Sequence, residues 1–313
     1  MFQPRIRQIE PVAWSPVIGV VRAILAFASL LTLSATPTDS LFQPLWGIGP
    51  QPVCKGINAF NLFCAFGPDN LELSKLVTAA ALLLIISGYL PQITSLLHYW
   101  ISFSLFNGIA IPDGGDQITV VLTFLLIPIC ITDSRRNHWS SWSGSSPPAG
   151  WRCGWAVACL IGIKIQVSIV YLQSCIEKTA QTEWATGNNL YYTASGVFGF
   201  SNPVRALLAP LLENEATVSL LTWSVLALEF VIAVTLLTPA VWRPFLFLSA
   251  ALFHGGIAFL MGLWSFALAM IAADLILTLP LAGVAFSSGF SLIANKPDSG
   301  SVKEEQPTEG KPF

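Results

Sequence analysis

The sequence predicts an all-α protein, a polytopic bundle of transmembrane helices. Charged residues make up only 10% of the chain and hydrophobic residues 54%, whereas soluble domains usually carry about 25% charged residues. Twenty phenylalanines and eleven tryptophans fit a lipid-facing surface with aromatic anchors at its interfaces. A net charge of −2 provides no basic surface for nucleic acid, so the lipid bilayer is the expected partner.

Apolar runs of roughly 20 residues locate the membrane-spanning helices. Such runs lie at 17–34, 76–90, 93–111, 117–132, 154–172, 218–238, 244–262 and 264–286. Only the segment SGYLPQ separates the second run from the third, and its Gly88 and Pro91 either form a tight turn or kink one long helix. We therefore predict about eight spans, within a range of six to eight.

The distribution of basic residues predicts the orientation of the chain, because Lys and Arg concentrate in cytoplasmic loops. With eight spans and a cytoplasmic N-terminus, most of them fall on the cytoplasmic side, including Arg135, Arg136 and Arg152. If 76–111 crossed the membrane only once, these three arginines would lie outside. We expect a multi-pass protein of the cell membrane with its N- and C-termini in the cytoplasm.

The spans divide the chain into one membrane domain and several polar segments. We expect the first span to be retained rather than cleaved as a signal peptide, because its apolar run is long and further spans follow. The C-terminal residues are rich in Pro, Gly, Lys and Glu, a composition typical of disorder. The predicted segments are a cytoplasmic N-terminus (1–16), a transmembrane domain (17–286) with outer loops at 35–75 and 173–217 and a cytoplasmic loop at 133–152, and a disordered cytoplasmic tail (287–313).

The cysteines divide into two groups by location. Cys54 and Cys64 lie in the first outer loop, on the oxidising side of the membrane, where a disulfide is favoured over two free thiols. The others lie in or beside spans, where cysteine usually packs as a small apolar residue; they are Cys130, Cys153, Cys159 and Cys175. No spacing of Cys and His resembles a zinc site, so we expect no metal.

Four predicted spans carry an ionisable residue near their centre, where a charge is energetically expensive. These residues are Lys164, Glu229, His254 and Asp274. In one interpretation they pair inside the bundle, with Lys164 neutralised by Glu229 or Asp274. In the other they line a polar cavity that binds a substrate headgroup or conducts protons, and the sequence leaves both open.

Lys178 lies in the segment YLQSCIEKTAQTEWATGNNLYY, just after the fifth predicted span. Its helical face carries uncharged polar residues, and Glu177 lies about 100° round the helix, so we expect no fixed partner for the amine. Such an amine acts either as a base or nucleophile or, in the simpler interpretation, as a side chain that snorkels to the interface.

The same segment resembles the signature of the HTTM family, the membrane domain shared with vitamin K-dependent gamma-carboxylase. Lys178, Trp184 and Gly187 stand at the matching positions. In that family the lysine is the base that drives oxygenation of the vitamin. The resemblance therefore implies a catalytic Lys178 and makes a quinone a possible cofactor, with none established.

Three further stretches resemble the same family, so that the resemblance covers roughly residues 17–286. LLHYWISFSL places His98 where the family has a functional histidine. IPDGGDQITVVLTFLLIPICITD resembles its polar-headed span, with Asp116, and FHGGIAFLMGLWSFALAMIAADLIL resembles its late span, with His254. The likeness implies that these residues belong to the site.

Within that family the chain is similar to the sporulation-delaying protein B branch, whose members are all membrane domain and share paired outer-loop cysteines. This likeness implies the maturation of a secreted antimicrobial peptide toxin, with a toxin-precursor peptide and a small companion protein as partners. The large extramembrane domain with which the carboxylase grips its protein substrate has no counterpart here, which argues against carboxylation of glutamate.

Three functions stay open, and with them whether the protein is an enzyme. The first is a membrane factor that matures a secreted toxin peptide by lysine chemistry at the outer face. The second is a quinone-dependent oxidoreductase or carboxylase-like enzyme, with Lys178 as base and His98 as its partner. The third is a peptide transporter or immunity protein without chemistry, whose pathway runs through the mid-membrane residues.

The candidate site combines the resemblance with the mid-membrane residues. Its members are Lys178 and His98 as catalytic residues, Trp184, Tyr191, Asp116 and His254 as substrate-binding residues, and Lys164, Glu229 and Asp274 as an intramembrane polar core. Simpler roles exist for several positions. Tyr191 and Tyr192 fit interfacial anchors, Asp116 fits a helix N-cap after a turn at Gly114 and Gly115, and the glycine pair after His254 fits close helix packing.

Overall fold

The computed structural model describes residues 12–42, 51–52, 54–140, 150–196 and 199–279, and the regular elements in these ranges are all helices. The predicted all-α fold is confirmed for these residues. Most of the predicted N-terminal segment, the whole tail 287–313 and parts of the loops at 35–75 and 133–152 lie outside the described residues.

The helices of the described residues differ greatly in length. The α-helices are α1 (Pro16–Ala35), α2 (Thr38–Leu41), α3 (Leu62–Phe66), α4 (Leu71–Ile86), α5 (Pro91–Gly108), α6 (Gly114–Thr132), α7 (Gly150–Thr179), α8 (Thr182–Ala185), α9 (Asn189–Ser195), α10 (Asn202–Leu212), α11 (Glu215–Ala233), α12 (Arg243–Met261) and α13 (Trp264–Thr278). Short 3-10 helices lie at Val12–Trp14, Gly56–Phe60, Pro68–Asn70, Thr235–Leu237 and Ala240–Trp242.

A helix lies at each apolar run that the sequence predicts as a span. Five helices of the described ranges are long and apolar enough to cross a membrane, namely α1, α6, α7, α11 and the segment Ala240–Met261 that contains α12. They indicate a membrane protein. Because α4, α5 and α13 are shorter or less apolar, the count of about eight spans stays a prediction, as does the cytoplasmic position of the termini.

α4 and α5 are separate helices joined by a tight turn. Gly88 has a φ of +80° and Leu90 a φ of 44°, both in the left-handed region, so the chain reverses here instead of continuing as one kinked helix. Tyr89 in this turn forms an isolated antiparallel bridge with Asn137. The turn is thereby tied to the loop that follows α6.

α13 is the central helix of the bundle and packs on α1, α6, α7 and α12. It buries the small side chains of Ala267, Ala269, Ala272 and Ala273, and small residues let helices approach closely inside a membrane. Around this helix, α6 joins α5 to α7, and α7 packs on α11. As a result, α11 packs mainly on α7, whereas α12 packs mainly on α13.

The segment that precedes α4 is held together by a disulfide between Cys54 and Cys64, whose Cα atoms are 5.7 Å apart. Asn61 fixes this segment to the end of α5, because its Nδ2 donates to the carbonyl of Ser104 at 2.7 Å while its Oδ1 accepts from the backbone of Phe63. Gly108 of α5 provides the space, since a Cβ there would lie 2.7 Å from Asn61 Nδ2.

The loop after α6 inserts His138 between α1 and the α4–α5 turn. Arg22 of α1 donates from Nη1 to His138 Nδ1 at 2.9 Å and from Nη2 to Thr94 Oγ1 at 3.0 Å. A Cβ at Gly19 or at Gly88 would come within 2.8 or 2.5 Å of His138 Cδ2, so both glycines make room for the imidazole. The buried guanidinium of Arg22 is thus bound by neutral groups of this loop and of α5.

Replacing Gly88 by alanine should destabilise the protein. A left-handed backbone costs an ordinary residue about 1–2 kcal/mol, and the new Cβ would also meet the rings of His138 and Trp139 at 2.5 and 2.6 Å. Thermal unfolding in detergent should show a lower midpoint. Gly162→Ala in α7 is the matched control because open space surrounds that glycine, and an equal loss in both variants would contradict this explanation.

The stability of the protein should fall as the pH is lowered, in part through His138. Burial, with the guanidinium groups of Arg22 and Arg135 nearby, lowers the pKa of His138 from 6.5 to about 3. Because the unfolded chain takes up this proton near pH 6.5, the stabilisation is complete above that pH and is lost as the pH falls toward about 3.

The contribution of His138 can be isolated with a variant that does not titrate. Between about pH 7 and about pH 5 the thermal midpoint of the wild type should fall more steeply than that of His138→Gln, which keeps an acceptor for Arg22. Parallel pH profiles of the two proteins would refute the assignment.

Candidate functional site

A cavity of about 740 Å³ lies between α7, α11, α12 and α13, within the range of 300–1,000 Å³ typical of ligand pockets. Its walls are mostly apolar, with side chains such as Leu221, Leu252, Phe266 and Met270. Trp184, α9, Phe200, α10 and the start of α6 complete the wall. The polar groups of the cavity include two clusters, one around Lys178 and one around Tyr171.

The first cluster is an ion pair between Lys178 and Glu229, which join the last turn of α7 to α11. The ammonium also lies 5.0 Å from the ring centroid of Trp184, a cation–π contact. Ser174 donates to the other carboxylate oxygen at 3.3 Å. The expectation that Lys178 has no fixed partner is therefore wrong, because its partner comes from a neighbouring helix rather than from its own.

The segment that carries Trp184 is held against α11 by a close backbone approach. Gly187 has a φ of +81°, and a Cβ there would lie 2.9 Å from the side chain of Ser219. Trp223 donates its indole N–H to the carbonyl of Trp184 at 3.3 Å. The glycine of the K…W…G pattern therefore positions the tryptophan beside the lysine.

The second cluster consists of Tyr171, His254 and Asp274, all buried. The hydroxyl of Tyr171 donates to Asp274 Oδ1 at 2.6 Å and lies 2.8 Å from His254 Nε2. Tyr171 is not among the site residues predicted from the sequence. Helical spacing could have identified it, because Tyr171, Ser174 and Lys178 lie on one face of α7.

Lys164 lies apart from both clusters. Its ammonium donates to the carbonyls of Leu277 at 2.8 Å and of Leu279 at 2.5 Å, at the end of α13. The interpretation in which Lys164 pairs with Glu229 or Asp274 is wrong. The last carbonyls of a helix lack partners within it and carry partial negative charge, so they satisfy a buried cation without a carboxylate.

His98 is buried in α5 but does not line the cavity. It lies in the environment of Arg22 and His138, because α5 packs on α4 and α6, whereas Lys178 lies at the end of α7. The carboxylase-like hypothesis expects His98 to act beside Lys178. The structure does not bring these two residues together.

Asp116 belongs to a capping box at the start of α6, in which Asp113 is the N-cap. Asp116 at the third helical position accepts from the backbone N–H of Asp113 at 3.0 Å. The prediction of Asp116 as the N-cap is thus three residues too late. Gly115 allows α6 to approach α13 closely rather than forming a turn. A Cβ at this position would lie 2.6 Å from the Cα of Phe266.

Tyr191 and the glycine pair also differ from the predicted site. The half-exposed Tyr191 packs edge-to-face on Tyr192 and lines a smaller hollow of about 330 Å³ rather than the main cavity. Gly255 and Gly256 face open space, so the prediction of close helix packing is wrong, and Gly256 lines the main cavity instead.

Within the described ranges, no group of three or more His, Cys, Asp and Glu residues is placed to hold a metal.

Two proteins of Bacillus subtilis (strain 168) are similar to this chain. The uncharacterized protein YitO is 37% identical over 265 residues, which cover 82% of this chain and 83% of the relative. The sporulation-delaying protein SdpB is 33% identical over 272 residues, which cover 86% of this chain and 82% of the relative. No family model matches the chain, so the broader HTTM resemblance stays a prediction. No solved structure matches it either.

Removing the hydroxyl of Tyr171 should destabilise the bundle. Tyr171→Phe leaves the carboxylate of Asp274 and the imidazole of His254 buried without their shared partner, a loss of about 1–3 kcal/mol. The thermal midpoint in detergent should fall, whereas Tyr191→Phe at the surface should leave it unchanged. A midpoint for Tyr171→Phe equal to that of the wild type would contradict the role of this hydroxyl.

Proposed function

This chain belongs to the family of the sporulation-delaying protein SdpB, and from this membership we propose that it is an integral membrane factor in the production of a secreted peptide toxin of the sporulation-delaying type. The similarity to SdpB extends over 86% of the chain. The partners proposed with this function are the toxin-precursor peptide and a small companion protein.

The observation that carries the proposal is the large apolar cavity with an ion pair in its wall. The side chain of Lys178 is 23% exposed, while its partner Glu229 is 7% exposed, so the amine is the more accessible member of the pair. A hydrophobic precursor would place apolar side chains against the leucines and phenylalanines of the cavity. The polar groups of the precursor would then contact Lys178, which lies at the outer face of the membrane in the predicted orientation.

The contacts of Lys178 favour a role in substrate binding. A carboxylate on one side and an aromatic face on the other form a site for a cation. In this proposal the lysine binds and orients a backbone carbonyl of the precursor. Any covalent step at the lysine would require the substrate to displace or share Glu229.

The other two functions have less support from the geometry. A quinone-dependent enzyme of carboxylase type needs Lys178 and His98 at one substrate, but only Lys178 lines the cavity. A transport pathway through the mid-membrane residues needs them to be continuous, but Lys164 is bound to the end of α13. We therefore keep the maturation factor as the proposed function.

Replacing Lys178 by methionine should reduce secreted toxin activity in the native host by about tenfold or more, because the accessible polar group of the cavity is lost. Membrane levels measured by immunoblot should show whether the variant accumulates. Lys178→Met also leaves Glu229 as a buried unpaired charge, which should lower the stability of the protein. The double variant Lys178→Met with Glu229→Leu removes that charge.

The comparison of variants separates binding from stability. The double variant should accumulate normally and remain inactive, and Lys178→Arg should retain part of the activity if the lysine binds as a cation. Lys75→Met is the control, because Lys75 contacts the carbonyl of Thr36 and lies outside the cavity. Normal toxin activity in both Lys178→Met and the double variant would reject the proposed site.

A further inference from the structure

The cavity reaches the outer surface of the bundle between α11 and α12. Leu221 of α11 and Leu252 of α12 line the cavity and are also 39% and 68% exposed on the surface. α11 and α12 make little direct contact, because α11 packs on α7 and α12 packs on α13. The gap between them is therefore a side opening of the cavity, which we name the lateral portal and define by Leu221 and Leu252.

The surface around the lateral portal is apolar. Leu220 and Trp223 of α11 and Phe245 and Leu248 of α12 are exposed large hydrophobic residues, and both helices lie in segments long and apolar enough to cross a membrane. A soluble surface rarely carries so many exposed large apolar side chains on two neighbouring helices. The lateral portal therefore opens into lipid, and a ligand that uses it comes from the bilayer.

The charges in the cavity wall restrict the ligand. The charged side chains among the lining residues are Lys178 and Glu229, which neutralise each other. A phosphate headgroup needs a cation that is free to bind it, and this cation is already paired. The polar part of the ligand is therefore uncharged.

The polar groups of the wall offer both donors and acceptors. Gln117 lines the cavity with an exposed side-chain amide. Asn189 donates from Nδ2 to Thr193, which leaves its Oδ1 as an acceptor. A peptide group in lipid needs a partner for its N–H as well as for its C=O, and side-chain amides provide both.

From these observations we infer that the cavity receives an uncharged, largely apolar polypeptide segment that moves in sideways from the bilayer through the lateral portal between α11 and α12. This inference rests on the proposed function, because it assigns a substrate class and a route to the same cavity. The route implies that the substrate is inserted in the membrane before it reaches Lys178.

Access through the lateral portal can be measured without a toxin assay. Gly256→Cys places a thiol in the cavity wall, where open space surrounds the glycine. The free cysteines Cys130, Cys153, Cys159 and Cys175 are replaced by alanine, while the disulfide is kept. The protein is reconstituted into phosphatidylcholine vesicles and treated with a bilayer-soluble pyrene maleimide or with a water-soluble sulfonated maleimide.

The lateral portal predicts a specific pattern of labelling. The bilayer-soluble reagent should react faster than the water-soluble one, and Leu252→Trp should slow it about tenfold. Leu248→Trp is the matched control, because Leu248 is also exposed on α12 but does not line the cavity. Leu221→Trp with Leu220→Trp as its control provides a second pair, should Leu252→Trp fail to accumulate. Faster labelling from water, or no effect of either portal variant, would overturn the lateral route.

The substrate class is tested by protection of the same thiol. A synthetic uncharged helix of about 20 leucine and alanine residues, added to the vesicles, should slow labelling of Gly256→Cys about tenfold. Phosphatidylglycerol added instead should not slow it. Protection by phosphatidylglycerol without protection by the peptide, or protection by neither, would overturn the assignment of a polypeptide.

The toxin assay separates this inference from the proposed function. If both hold, Leu252→Trp loses toxin activity and Leu248→Trp keeps it. If Leu252→Trp labels and functions normally while the Lys178 variants lose activity, the proposed function stands and the lateral route is wrong.

Discussion

Polar groups inside a bilayer must find their partners within the protein, because lipid offers none. This constraint explains the main long-range contacts of the bundle. Lys178 holds α7 to α11 through Glu229, and Lys164 holds α7 to the end of α13. Tyr171 joins α7 to α12 and α13 through His254 and Asp274. Removing one partner would leave a buried charge or dipole, so these contacts fix the neighbours of each helix.

α7 organises the cavity because its polar residues recur at intervals of seven. Lys164, Tyr171 and Lys178 lie two turns apart, and a helix drifts only about 20° over seven residues, so the three side chains follow one stripe. Each rise of seven residues spans about 10 Å. The stripe thus places a structural contact at one end, a buried hydrogen-bond network in the middle and the accessible ion pair at the other end.

Much of the fold could be predicted from the sequence, because apolar runs and helix length follow directly from the thickness of the bilayer. A helix lies at each predicted run, and Lys178 and Trp184 of the shared motif lie in contact. The partners of the charges could not be predicted. Which helix faces Lys164 depends on rotation and on the order of packing, which hydropathy does not determine. The partner that the structure supplies is a pair of backbone carbonyls, which no side-chain pattern reveals.

The loop that carries His138 has a consequence for the order in which the chain assembles. Arg22 binds Thr94, 72 residues further along, and His138, 116 residues further along. A growing chain inserts α1 long before either partner has been synthesised, so for that interval the guanidinium must stay hydrated or be held by the insertion machinery. α1 can settle into its final position only when translation has passed α6. The N-terminal helix of the bundle is therefore among the last to complete its contacts.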